Sequence, residues 1–314
     1  MFSQLKMNKH MTADAIEITN LTKFYGKLKA LDSVSLNVKR GEFFALLGPN
    51  GAGKSTMINI ICSLVKKTEG QVKIYGNDMD NELSLAKSHI GVVPQEFNFS
   101  IFETPMQILI YQAGYYGIPR KIAIPRAKKY LKLLQLWEKR NVQARKLSGG
   151  MKRRMIIARA LMHEPEVLIL DEPTAGVDIE IRHSMWEFLK KLNSEEKKTI
   201  ILTTHYLEEA ENLCKRVAII NHGKIIECAP MRSIVKKLDA SIFVVECEDK
   251  ITEAQIKFKD FKTEKLDAES FEITVPNTAT LNDVFKLMDG KKIKVTDIRN
   301  KTNKLEQLFL RLTA

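Results

Sequence analysis

The stretch Gly48-Pro49-Asn50-Gly51-Ala52-Gly53-Lys54-Ser55 constrains this chain more than any other feature. It fits the pattern G-x-x-x-x-G-K-[ST], which requires a buried strand, a glycine-rich turn and a helix start in that order. Both flanks comply. Phe43-Phe44-Ala45-Leu46-Leu47 is an apolar run of strand length, and Thr56 to Ile61 begins a helix with Ile58, Ile61 and Leu64 on one face. Glycines let successive backbone N–H groups close around phosphate oxygens without Cβ clashes. The helix start adds partial positive charge. In such a loop Lys54 bridges terminal phosphates, Ser55 ligates Mg²⁺, and Thr56 follows in the first helical turn.

At 314 residues the chain has room for a large core and two domains. A hydrophobic share of 44% and a charged share of 28% suit a soluble globular protein. No apolar run approaches the roughly 18 residues of a membrane helix. Residues 1–14 are polar, lack a signal-peptide core and are expected to form a disordered tail, which makes the cytoplasm the default compartment. Cys62, Cys214, Cys228 and Cys247 form no C-x-x-C pair and read as buried free thiols. The histidines form no H-x-x-x-H pair, so a zinc centre is not expected.

The net charge of +12 is unevenly placed. Between Arg120 and Arg154 thirteen basic residues face one acid, Glu138, which accounts for the whole excess. A solvated helix face explains most of them. Nucleotide phosphates, anionic lipid or an acidic partner are the functional alternatives. Charge alone would admit nucleic acid, but no aromatic platforms or known nucleic-acid modules are present.

Ala15–Thr19 and Val34–Val38 alternate as half-buried strands, joined by a turn-rich stretch from Thr22 to Leu31. Gln71–Tyr75 and Ile90–Gln95 follow as strands. From Thr104 to Lys146 the pattern is helical, with Met106, Ile110 and Ala113 on one face and Tyr130, Leu134 and Trp137 on another, punctuated by Pro119 and Pro125. A basic amphipathic helix spans 151–162. Glu166–Leu170 and Thr199–Thr203 are buried strands around a helix marked by Ile181, Met185, Phe188, Leu189 and Leu192. Val217–Ile220 and Lys224–Cys228 form a hairpin across His222-Gly223. Strands alternating with helices indicate an α/β fold with a parallel sheet. Past about 235 the charges nearly cancel. Strands at 241–247, 270–275 and 292–298 and helices at 281–288 and 304–312 read as a small α+β domain.

Five further segments bear on chemistry. Val167–Leu170 leads into Asp171 and Glu172; there Asp171 can hold Mg²⁺ through water and Glu172 can take a proton from attacking water. Leu147-Ser148-Gly149-Gly150-Met151 supplies an N-cap serine and open amides for an anion. Gln95 follows a strand and can reach Mg²⁺ or the attacking water. His205 ends another strand and can contact a γ-phosphate. Gly176-Val177-Asp178 taken alone is a turn.

In this order, from Tyr25 to His205, the segments resemble the ATP-binding cassette (ABC) ATPase family. The resemblance implies a P-loop NTPase cassette: a parallel-sheet core with an antiparallel β subdomain and a helical subdomain at about 96–160. The cassette would occupy 15–235, followed by a small α+β domain at 236–314. It implies that Tyr25 stacks on adenine, that Gln95 links the nucleotide site to a transporter, and that Ser148, Gly149 and Gly150 form the signature loop. Asp171 and Glu172 match the Mg²⁺-site acid and the general base, Asp178 the D-loop acid and His205 the switch histidine. ATP and Mg²⁺ are the implied cofactors. The implied partners are a second copy, paired head to tail, and separate integral-membrane permease subunits, with the ATPase peripheral on the inner face of the membrane and no nucleic acid bound. Met151 stands where the signature usually has Gln, and Val177 where many relatives have Leu. Leu-Ser-Gly-Gly-Met followed by Lys152-Arg153-Arg154, together with Lys304–Leu310, resembles the type-2 exporters of drugs and polysaccharides. A soluble ABC ATPase acting on ribosomes or nucleic acid is the second reading. A non-catalytic cassette conflicts with intact Lys54, Asp171, Glu172 and His205.

Overall fold

The computed structural model describes residues 13–204, 206–235, 240–276, 278–301, 305, 306 and 309. They divide into two units, one reaching Cys228 and one starting at Ala229. The first runs β1 (Ile16–Tyr25), β2 (Leu28–Val38), β3 (Phe43–Leu47), α1 (Lys54–Ile61), β4 (Glu69–Ile74), β5 (Asn77–Asp78), α2 (Leu83–Ser88) and β6 (Ile90–Val93). Three helices follow: α3 (Pro105–Tyr115), α4 (Arg120–Leu133) and α5 (Gly149–Ala160). Then come β7 (Val167–Asp171), α6 (Ile179–Ser194), β8 (Thr199–Thr203), α7 (Leu207–Leu213), β9 (Arg216–Asn221) and β10 (Lys224–Pro230), whose last two residues fall past the boundary at Cys228.

β6 to β9 and β3 form the parallel core of a six-stranded sheet ordered β10-β9-β3-β8-β7-β6. Every residue of β3 is buried, as the apolar run requires for a central strand covered on both faces. Each such Leu or Phe contributes on the order of 1.5–3 kcal/mol by leaving water. A second sheet, ordered β2-β1-β4-β5, is antiparallel. Its apolar face and the core sheet share one cluster that includes Ile16, Leu31, Ile74, Leu46, Met57 and Ile169.

Several local expectations need correction. The strands around Gly26 do not stop at Thr19 and Val34; they pair as far as Tyr25 opposite Leu28, leaving only Gly26-Lys27 as the turn. Polar and aromatic residues at 22–31 hid a strand that is exposed on one side. α1 ends at Ile61, so Leu64 lies beyond it and is exposed. In α3 the buried residues are Pro105, Ile108, Leu109 and Ala113; Met106 and Ile110 are only half-buried. Thr104 caps this helix reciprocally, its hydroxyl accepting from the Gln107 N–H at 3.3 Å and its own N–H donating to the Gln107 side chain at 2.9 Å. Pro119 precedes α4, but Pro125 sits inside it, on an exposed face. α6 buries Met185, Trp186, Leu189 and Leu192, while Ile181 and Phe188 are half-buried. Cys62, Cys214 and Cys247 are buried, but Cys228 is exposed.

α5 differs most from expectation. It has no solvated basic face: Arg153 and Arg154 are buried along with Met155 to Ala158. Arg154 donates to the Gln135 side chain at 3.0 Å, and Arg159 to the Asn98 carbonyl at 2.9 Å. These cations tie the helical subdomain together. Burial lowers the pKa of both guanidinium groups, which stay protonated at any physiological pH.

The second unit holds α8 (Met231–Val235), β11 (Ala240–Cys247), α9 (Glu253–Ile256), β12 (Lys262–Lys265), β13 (Ser270–Pro276), α10 (Leu281–Gly290) and β14 (Val295–Asn300). Its sheet is antiparallel, ordered β12-β13-β11-β14. Phe271, Ile273, Val245, Val284 and Met288 form its core. The last strand starts at Val295, not Lys292. β12 was not expected, because Lys-Thr-Glu-Lys carries no apolar alternation; charged edge strands of this kind resist pairing with other chains. Most of the tail at 1–14 and most of the helix at 304–312 lie outside the described residues.

Candidate nucleotide-binding site

A cavity of about 660 Å³ opens beside the N-terminus of α1. Asn50, Gly51, Gly53, Lys54, Ser55 and Thr56 line its floor. Tyr25 and the start of β2 (Leu28, Lys29, Ala30) line it as well, and so do Asp171, the last residue of β7, Glu172 directly after it, and Gln95 just past β6. His222 and Gly223, expected only as a hairpin turn, also line it. Gly48, Pro49 and Ala52 belong to the same loop but are not among the lining residues. Ser148, Gly149, Gly150 and Asp178 are not among the lining residues. His205 lies outside the described residues.

Within the loop, two glycines cannot be replaced without moving backbone. A Cβ on Gly48 would fall 2.3 Å from the Ile220 carbonyl. Gly53, the N-cap of α1, has φ +109°, and its Cβ would fall 2.8 Å from the Ala30 carbonyl. The β9–β10 turn holds the loop from outside, the Gly223 N–H donating to the Ala52 carbonyl at 2.9 Å. Lys54 is buried, and its ammonium donates to the Gly48 and Pro49 carbonyls at 2.6 and 2.9 Å. An ammonium has three N–H donors, so one is left over for a ligand. Burial lowers its pKa; the nearby charges of Glu172 and Asp171 oppose that.

The carboxylates are set by the sheet. Asp171 ends β7 and accepts a hydrogen bond from the Thr203 hydroxyl on β8. Glu172 then turns off the sheet with φ +47°, its N–H donating to the Thr203 carbonyl at 3.0 Å. A left-handed non-glycine residue costs on the order of 1–2 kcal/mol. Here that conformation accompanies a carboxylate that reaches the cavity. The Gln95 amide donates to it at 3.2 Å.

Two supporting residues had no local signal. Arg153 of α5 is 4% exposed and forks onto the carbonyls of Pro94 and Gln95, both at 2.9 Å. It couples the start of α5 to the Gln95 segment, which is 58 residues away. Burial lowers its pKa, against the charges of Asp171 and Glu172. Ser148 caps α5, its hydroxyl accepting from the Met151 N–H at 3.3 Å, and both Ser148 and Gly149 face solvent. Asp178 is exposed at the start of α6.

Glu209 of α7 is completely buried and accepts from the Thr174 hydroxyl at 3.0 Å and the Trp186 indole at 3.1 Å. Burial raises its pKa above 4.5, opposed by hydrogen bonds from Thr204, Trp186 and Thr174. The folded chain therefore keeps this proton where the unfolded chain has released it. That contribution is complete below the usual carboxylate range and is lost as pH rises through the raised value. Glu209→Gln, neutral throughout, is expected to remove this slope in melting temperatures taken between mildly acidic and neutral pH. Parallel slopes for the two proteins would contradict the assignment.

The family description "ABC transporter" matches residues 31–175. Nod factor export ATP-binding protein I of Sinorhizobium fredii is 40% identical over 232 residues, covering 74% of this chain and 67% of that protein. The chain belongs to the ABC transporter ATPase family. Another relative of this ABC ATPase is linearmycin resistance ATP-binding protein LnrL of Bacillus subtilis, 39% identical over 76% of each chain. A Nod factor export ATP-binding protein I from Burkholderia lata is 34% identical over 96% of this chain and 98% of its own length, so that likeness continues into the second unit. Among solved structures, the dimeric cassette MJ0796 bound to ADP and Pi in a post-hydrolysis state matches with a TM-score of 0.63. Its identity is 33%, and the match covers 69% of this chain and 99% of that one. The ABC ATPase binds and hydrolyses ATP, and these relatives are exporter-type ATP-binding proteins. None of them supports the ribosome or nucleic-acid reading.

Proposed function

We propose that this ABC ATPase pairs head to tail with a second copy, and that closure of the pair on two ATP molecules drives a separate membrane permease in the export direction. One observation carries the pairing. The chain has two anion-binding surfaces, the phosphate loop and the solvent-facing Ser148-Gly149 start of α5, and the second lines no part of the cavity that holds the first. A γ-phosphate on the loop is caged only if another copy brings its own Ser148, Gly149 and Gly150. The dimeric ADP-bound neighbour is consistent with this pairing.

Within each site Tyr25 packs on adenine. Gly48 to Ser55 and Thr56 wrap the phosphates, with Lys54 between the terminal two. Among the described residues no group of three or more His, Cys, Asp or Glu side chains could hold a metal ion. The Ser55 hydroxyl, the Asp171 carboxylate and the Gln95 amide are hard oxygen donors, which fits Mg²⁺ arriving with nucleotide phosphates and retaining waters. Bound there, Mg²⁺ neutralises charge that builds up on the transferred phosphoryl group. Glu172, oriented by Gln95, takes the proton of the attacking water. Asp178 is assigned to the dimer interface and His205 to the γ-phosphate, both on sequence.

Among the described residues no helix is long and apolar enough to cross a membrane. The relatives named as export and resistance ATP-binding proteins support a separate permease as the partner, with this chain on the inner membrane face. The contact surface is expected at Phe97, Ile101 and Phe102, which are all exposed after Gln95. Phe99 packs tilted on Phe97 and is half-buried, so it contributes less. Ile101→Glu with Phe102→Glu is expected to leave the ATPase rate of the isolated chain unchanged, since both side chains are exposed. Recovery with the membrane fraction should drop about tenfold or more, given the weight of aromatic anchors at interfaces. Undiminished recovery would contradict this placement.

A further inference from the structure

We infer that the outer face of α4, with the turn Trp137–Lys139 behind it, is a docking surface for anionic phospholipid headgroups. The inference rests on the transport reading above and adds a lipid contact to it. α4 carries six Lys or Arg and no acidic residue. Arg126 and Lys129 are neutralised by Glu164 at 2.8 Å and Glu196 at 3.0 Å. Arg120, Lys121, Lys128 and Lys132 are exposed, and among the described residues no acidic partner reaches them.

A second observation brings in two residues outside the helix, Trp137 and Arg140. The Trp137 ring gathers three cations: Lys128 at 5.5 Å, Lys132 at 5.9 Å and Arg140 at 4.3 Å from its centre. Like charges held on one indole repel each other, and a phosphate group among them would relieve the repulsion. Ile122, Ile124 and Leu133 are exposed on the same helix. Cations interspersed with exposed aliphatic side chains and an aromatic ring suit the boundary between headgroups and acyl chains. A single-stranded nucleic acid would instead need open ring faces on which bases stack, and the Trp137 ring is already engaged by cations.

The test uses the full chain with vesicles of phosphatidylcholine alone or mixed with phosphatidylglycerol. Retention on the anionic vesicles, lost at high salt and accompanied by a blue shift of Trp137 emission, is expected. The other tryptophan, Trp186, is buried and serves as a constant background. Lys128→Gln with Lys132→Gln should weaken retention about 25-fold, near fivefold per lysine, with the ATPase rate unchanged. Lys257→Gln with Lys259→Gln, an equal charge loss at exposed positions of the second unit, should not weaken it. Equal retention on neutral vesicles, or equal loss in both double variants, overturns the inference. So does binding of an RNA oligomer through Lys128 and Lys132 without vesicle retention. Failure on vesicles while ATP turnover and membrane recovery persist removes the lipid contact alone. Loss of those two with vesicle binding intact removes the transport reading instead.

Discussion

Glu172→Gln is expected to cut ATP turnover by about 10²- to 10⁴-fold, the usual worth of a positioned general base, while ATP stays bound. The amide keeps the shape of the side chain and can still pair with Gln95, which donates to Glu172 at 3.2 Å in the native protein. What it loses is the ability to accept a proton from water. Substrate binding rests on the loop and on Lys54, which the substitution leaves alone. ATP should therefore hold the two copies together. Normal turnover in the variant would remove Glu172 from its assigned role.

Lys54→Ala is expected to act one step earlier. The ammonium is buried against the Gly48 and Pro49 carbonyls, and it is the cation of the loop floor. Its loss removes charge-assisted bonds worth roughly 1.5–3 kcal/mol each, so ATP affinity should fall about 10²-fold. It also frees the two carbonyls that fix the loop. A nucleotide titration separates the two variants: Lys54→Ala should bind ATP poorly, and Glu172→Gln should bind it well. Native affinity in Lys54→Ala would contradict the loop geometry.

Features legible in the sequence were those carried by short spans. The strand, glycine loop and helix around Lys54 announce themselves within twenty residues, because each local element demands the next. Buried parallel strands such as Phe43–Leu47 and Val167–Leu170 were readable because both faces are covered and no polar residue interrupts them. The walls of the cavity were less legible. Leu28 and Lys29 belong to a hairpin whose outer residues are polar, and His222-Gly223 read only as a turn. Arg153 looked like one more exposed cation, since its carbonyl partners lie 58 and 59 residues earlier in the chain. Glu209 gave no sign of burial because Thr174 and Trp186, its partners, lie 35 and 23 residues away. Long-range pairing of polar groups has no periodicity for a sequence to display.

The proposed pairing requires that the phosphate loop of one copy and the Ser148-Gly149 start of α5 of another, which lines no part of the cavity in its own copy, meet on one ATP. Light scattering on Glu172→Gln with ATP and Mg²⁺ tests this most directly. A particle of twice the monomer mass is expected, returning to the monomer when ATP is withdrawn or when Ser148→Arg is added. A particle that remains monomeric with saturating ATP and Mg²⁺ would contradict it.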